Sequence, residues 1–198
     1  MNTRATTSMC GDRPRRVAVL LCAVVFTCAQ MAHAQVKTSK LLSGSIREVL
    51  ESIELETIEG ERVQLSSFLD KGPVVFDFWA TWCKPCLVAL PELSALAVDL
   101  GAEGVQVVAI NEDGPRNAAK VKPFVQTKDY AFTVLLDLNE QAKRKLNALT
   151  LPTTIVVDAD GNVVHTSFGY RPGEGRKLRK LVESMLDAAE KTKTEPDD

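Results

Sequence analysis

An α/β sandwich on a mixed β-sheet is the fold class this sequence predicts, and three observations carry it. Val74-Val75-Phe76-Asp77-Phe78-Trp79 is a nearly unbroken run of β-branched and aromatic residues, the pattern of a central strand buried on both faces. From Cys83 onward apolar residues recur at helical spacing, and strand-like and helix-like segments then alternate. Near the end, two β-rich runs flank Asp158-Ala159-Asp160-Gly161, and a long amphipathic segment follows.

Taken in order, Ser52 to Ile58 and Arg62 to Leu65 alternate around Glu59-Gly60-Glu61 and predict an N-terminal β-hairpin. Ser66 to Leu69 predicts one helical turn before the Lys71-Gly72-Pro73 break. Leu87, Leu90, Leu93, Ala97 and Leu100 place a helix from Cys83 to about Leu100, with Pro91 expected to kink it because proline supplies no N–H and crowds the preceding turn. Val105 to Ile110 predicts a second buried strand, Pro115 to Lys128 a helix bent at Pro123, and Phe132 to Leu136 a further strand. Asn139 to Leu146 reads as a helix, Thr153 to Val157 with Asn162 to Phe168 as an antiparallel hairpin, and Gly173 to about Lys191 as the closing helix.

The composition, 45% hydrophobic and 25% charged over 198 residues, suits one globular domain. Residues 1–34 read as a separate leader. Arg13, Arg15 and Arg16 precede an apolar run from Val17 to Ala29, and Ala32-His33-Ala34 offers small residues for a cut after Ala34, which predicts a cleaved signal peptide and an exported, periplasmic protein. The apolar run is 13 residues long, short of the roughly 20 that cross a bilayer as a helix. An uncleaved membrane tether is the alternative, and no transmembrane segment is expected in the mature chain. Residues 35–51 read as a flexible lead-in, 52–191 as the domain, and 192–198 as a disordered charged tail.

Removing the leader takes four basic residues (Arg4, Arg13, Arg15, Arg16) from 24 and one acidic residue (Asp12) from 26, leaving 20 and 25, a net charge of −5. That acidity argues against nucleic acid as a partner. It also reduces five cysteines to two, Cys83 and Cys86.

These two carry the chemistry. Thiols at i and i+3 lie on one side of a first helical turn and can join or part with little backbone movement. Cys83, at the helix start, meets the unpaired N–H groups and the macrodipole that favour a thiolate, with Lys84 adding positive charge, so it is the expected attacking sulfur. Cys86, one turn in, is the expected resolving sulfur, and Pro85 stiffens the loop. Zinc normally takes four ligands, and past the leader the chain offers two cysteines and the distant His165, so no metal site is expected. A purely structural bridge over so short a loop would constrain the unfolded chain little. Two adjacent thiolates also suit Cu(I), which keeps a metallochaperone or assembly role as an alternative. Glu112 and Asp113, after a strand end, read as solvated loop charges, and His165 as a surface strand residue.

With Trp79-Ala80-Thr81-Trp82 before Cys83-Lys84-Pro85-Cys86, the sequence resembles the thioredoxin superfamily, and within it the exported TlpA/ResA-like branch, over about Leu55 to Leu186. The resemblance implies a thioredoxin-like sandwich with a central helix-strand insertion between Asn111 and Leu136. It implies thiol–disulfide exchange with no cofactor beyond the Cys83/Cys86 disulfide, Trp82 beside the site, and Pro91 as the kink of the active-site helix. Leu151-Pro152-Thr153 matches the family's cis-proline loop, where an extended client segment docks, and Gly169 fits the pattern. Asp77 matches the buried acid that helps move the resolving thiol's proton, a thioredoxin-like trait. The implied partners are disulfide-containing client proteins and an upstream membrane or periplasmic dithiol donor. Reduction of clients is the favoured direction, with dithiol oxidation as the alternative.

Overall fold

The computed structural model describes residues 45–194; the leader, residues 35–44 of the lead-in and the last four residues of the tail lie outside them. Seven strands form one sheet: β1 (Glu54–Thr57), β2 (Arg62–Gln64), β3 (Val74–Trp79), β4 (Gln106–Asn111), β5 (Thr133–Leu136), β6 (Thr153–Val157) and β7 (Val163–Phe168). Their spatial order is β2-β1-β5-β4-β3-β6-β7. The β3/β4 and β4/β5 pairs are parallel and the others antiparallel, so the sheet is mixed.

Helices cover both faces. Alternation along β3 sends Val75 and Trp79 to one side, against α2 (Lys84–Leu100), α3 (Ala118–Lys128) and α5 (Glu174–Thr194). Val74, Phe76 and Phe78 point the other way, onto α1 (Arg47–Glu51), the 3-10 turn Leu65–Lys71 and α4 (Gln141–Lys145). All six residues of β3 are buried, which explains its continuous apolar run. Fully burying a side chain such as Leu90 of α2 contributes about 2 kcal/mol. The strands β3 and β4 begin side by side because Gly72 and Gly104 let their loops pass: a Cβ on Gly72 would sit 2.7 Å from the Gly104 carbonyl oxygen.

Residues 45–51, read from sequence as the end of a flexible lead-in, instead belong to the domain. Ser45 bridges Asn162, the Ile46 N–H donates to the Gly161 carbonyl at 2.7 Å, and Leu50 is fully buried. Ile46, Leu50 and Ile53 recur at i, i+4 and i+7, an apolar stripe too short to stand out beside the polar residues before it. At the other end α5 runs to Thr194, three residues into the segment read as tail. Helix α2 with the turn after it, Lys84–Glu103, is long and apolar enough to cross a membrane by length and composition. Its apolar face packs on the sheet.

Candidate active site

Strand β3 ends at Trp79, and a four-residue loop delivers the chain into α2. Cys83 is the N-cap of α2, and its sulfur accepts a hydrogen bond from the Cys86 N–H at 3.3 Å. Pro85 stands in the first turn, where its missing N–H is no loss to the helix. Cys83 and Cys86 form a disulfide with Cα atoms 5.3 Å apart. The two residues are unequal: Cys83 retains 5% exposure and Cys86 none. Beside them Trp82 is 65% exposed, and Lys84 and Pro85 face solvent.

The Leu151–Pro152 peptide bond is cis, as the resemblance implies. Thr153 pairs with Phe78 across the β3/β6 ladder, which sets Pro152 beside the strand end from which the loop to Cys83 departs. Leu151 packs on the cluster that contains both cysteines. Thr153 is buried and its hydroxyl donates to the Thr150 carbonyl at 2.6 Å. The Gly169 N–H donates to the Pro152 carbonyl at 2.8 Å, from a backbone with φ of 75° that glycine adopts freely.

Asp77 lies between Val75 and Trp79 in the alternation, so its carboxyl enters the layer beneath α2, where Cys86 is buried. It is fully buried; Oδ1 accepts from the Thr154 hydroxyl at 2.7 Å, and Oδ2 has no hydrogen-bond partner. Burial pushes its carboxyl up to about 7 against the opposing pull of the Thr154 bond.

Glu112 and Asp113 are not solvated, contrary to the reading from sequence. Both are buried at the C-terminal end of β4. Asp113 Oδ2 accepts from the Thr81 N–H at 2.8 Å and the Asn111 side-chain amide at 2.7 Å, while Oδ1 accepts from the Thr81 hydroxyl at 2.6 Å. These bonds tie down the loop two residues before Cys83. Glu112 lies towards Asp137 on the opposite face, with both carboxyl oxygens buried. Burial, and then the Asp137 charge, push it up to about 8 against the pull of Lys143. His165 is exposed on β7.

Sequence reasoning thus found the two cysteines, Asp77 and the proline loop, and missed Thr81, Asn111, Asp113 and Thr154. The Asn111-x-Asp113 spacing at a strand end was the one local signal available for the missed set.

A mixed sheet between helical layers, with a Cys-X-X-Cys disulfide at a helix start beside a proline loop, defines a thioredoxin-fold protein. Residues 46–166 match the AhpC/TSA family, and the chain belongs to it. It is 33% identical over 117 residues to the thiol-disulfide oxidoreductase ResA of Bacillus thuringiensis, a match covering 59% of this chain and 66% of that protein. The chain therefore spans just under two thirds of the length of that relative. With ResA of Bacillus subtilis it shares 30% identity over 151 residues, 76% of this chain and 80% of that one. Among solved structures, a thioredoxin-like protein of Porphyromonas gingivalis is 34% identical with a TM-score of 0.60, covering 70% of this chain and 92% of its own. A Chlorobium tepidum protein assigned as a thiol:disulfide interchange protein DsbE is 30% identical with a TM-score of 0.62, covering 68% and 92%.

Proposed function

We propose that this protein is an exported thiol–disulfide oxidoreductase that reduces disulfides of client proteins through Cys83 and Cys86. The observation that carries the reading is the unequal exposure of two disulfide-joined cysteines at the start of one helix. In the reduced form, the Cys83 thiolate attacks a client disulfide, forming a Cys83–client bond and releasing one client thiolate. Cys86 then gives up its proton, attacks Cys83 Sγ and re-forms the internal disulfide. The second client sulfur leaves as thiolate and takes up a proton. Two electrons pass to the client, and an upstream dithiol donor returns them. Asp77 is the acceptor of the Cys86 proton in this reading, supported by its burial beneath α2 and its raised pKa.

In this reading Trp82, 65% exposed, and the Leu151–Pro152 loop form the docking surface for the client, with Leu149, 64% exposed, on the same loop as the proline. No cofactor beyond the disulfide enters this cycle. The apolar run behind Arg13, Arg15 and Arg16 supports an exported, periplasmic setting, where disulfide-bearing clients occur. The test is reduction of insulin disulfides by the dithiothreitol-primed protein. Cys83→Ser is expected to abolish turnover and Cys86→Ser to accumulate a mixed disulfide visible by mass spectrometry. Undiminished turnover by the double variant overturns the reading.

A further inference from the structure

We propose that Thr154 is the relay through which Asp77 exchanges its proton with solvent, the wall of a groove on the far side of α2 being where the proton enters and leaves. The inference rests on the reading of Asp77 as acceptor of the Cys86 proton and names the residue that lets the acid be reset. Asp77 has no exposed surface, and the layer around it is built of Val75, Trp79, Leu90, Leu93 and Val156. Among the described residues, the hydroxyl of Thr154 is the one hydrogen-bond partner of its carboxyl, at 2.7 Å. An acid that takes a proton in every cycle must lose it again, and apolar side chains conduct no protons.

Thr154 is placed to conduct one. It is half-buried on β6, with its hydroxyl on Asp77, and it lines an open groove of about 560 Å³ between α2, the β6/β7 ladder and α5. The titratable and charged groups facing that groove are Glu92 from α2, His165 from β7, and Tyr170, Arg171, Glu174 and Lys177 around the start of α5. Of these, Glu92 is engaged by the Tyr170 hydroxyl at 3.1 Å and the Gly175 N–H at 3.1 Å, and none bonds to Thr154. On the protein side Cys86 is the titratable group that α2 buries in the layer entered by Asp77.

The step balances as a hydroxyl relay. After Cys86 has passed its proton to Asp77, the carboxyl gives that proton to Thr154 Oγ as the hydroxyl's own proton goes to a groove water. Asp77 returns to carboxylate, Thr154 ends as the hydroxyl it began, and the water carries away one proton. The reverse sequence reloads the acid.

The test follows multiple-turnover reduction of a fluorescent disulfide peptide by the full chain under excess chemical reductant, by stopped flow across pH 5–9, so that every cycle after the first requires Asp77 to be reset. Thr154→Val keeps the shape and removes the hydroxyl; Thr154→Ser keeps the hydroxyl. The relay predicts a tenfold or greater fall in the plateau rate for T154V, a rate near wild type for T154S, and no further loss when T154V is added to D77N. A bond that only holds Asp77 would move the pH profile along its axis and leave the plateau. That result, a T154V plateau within twofold of wild type, or an equal T154V effect in the D77N background overturns the relay. An unchanged D77N plateau overturns the role of Asp77 itself. On wild-type protein the relay also predicts a bowed dependence of rate on deuterium fraction, from two protons in motion; a linear dependence overturns it.

Discussion

Asp113 grips Thr81 with both carboxylate oxygens, one on the backbone N–H at 2.8 Å and the other on the hydroxyl at 2.6 Å. The bond joins the end of β4 to the loop that carries Trp82 and Cys83. Asp113→Ala leaves the Thr81 N–H and the Asn111 amide without their acceptor in a half-closed site, which destabilises the fold by about 3 kcal/mol. Urea unfolding checks the stability, and alkylation of reduced Cys83 by iodoacetamide checks the loop. A midpoint and an alkylation rate equal to wild type would remove Asp113 as the anchor.

Asp77 and Glu112 tie stability to pH. Each carboxyl holds its proton more tightly in the folded protein, at about 7 and about 8, than in the unfolded chain, where carboxyls titrate near 4. Folding therefore binds protons between these limits, and stability falls as pH rises from about 4 towards 8. For Asp77 the full effect is about 4 kcal/mol. Asp77→Asn is expected to melt higher than wild type at pH 8, with the gap closing towards pH 5. A gap that widens on acidification would contradict the sign.

Glu92 staples α5 to α2, accepting from the Tyr170 hydroxyl and the Gly175 N–H. A methyl on Gly175 would run into the Glu92 side chain, including its Cβ at 2.9 Å. Gly175→Ala therefore destabilises by about 1–2 kcal/mol through overpacking. In a Glu92→Ala background the carboxyl is gone but the Cβ contact remains, so the same change costs about 1 kcal/mol less than in wild type, helped by the lower backbone entropy that alanine loses in a helix. Thermal melts of the four proteins in this cycle decide it; equal effects of G175A in both backgrounds would show that the two residues do not meet.

Lys84 sits one residue after Cys83 and faces solvent. Lys84→Glu puts a negative charge beside the developing thiolate at the helix N-terminus, so Cys83 should alkylate up to about tenfold more slowly at neutral pH and low salt. At 1 M salt, with a Debye length of about 3 Å, most of that difference should vanish. A salt-independent loss would point to altered loop geometry instead.

How much of this was legible in the chain itself varies by element. The strand Val74–Trp79 and the helix from Lys84 were plain because burial on two faces and on one stripe leave different periodicities. The hairpin β6/β7 was plain from Asp158 to Gly161, whose side chain and backbone close the turn locally, with Asp158 Oδ1 accepting from the Asn162 N–H at 2.8 Å. Helix α1 was missed because five residues make little more than one turn of pattern. Glu112 and Asp113 were misread because charge and a position after a strand ordinarily mean solvent, and nothing local announces a buried acceptor.

The sequence by itself determined the thiol pair at a helix start and the acid within a buried strand, because a helical turn, a cap and a strand's alternation are short-range geometry, while the proline loop was marked by the family resemblance that Leu151-Pro152-Thr153 carries. Only the tertiary structure decided what surrounds them. It brought Thr154 to Asp77 from 77 positions away and Asp113 to Thr81 from 32, and it sealed Glu112 against Asp137. Contacts of that kind arise from strand pairing and layer packing, which juxtapose residues without leaving any period or spacing in the chain to be read.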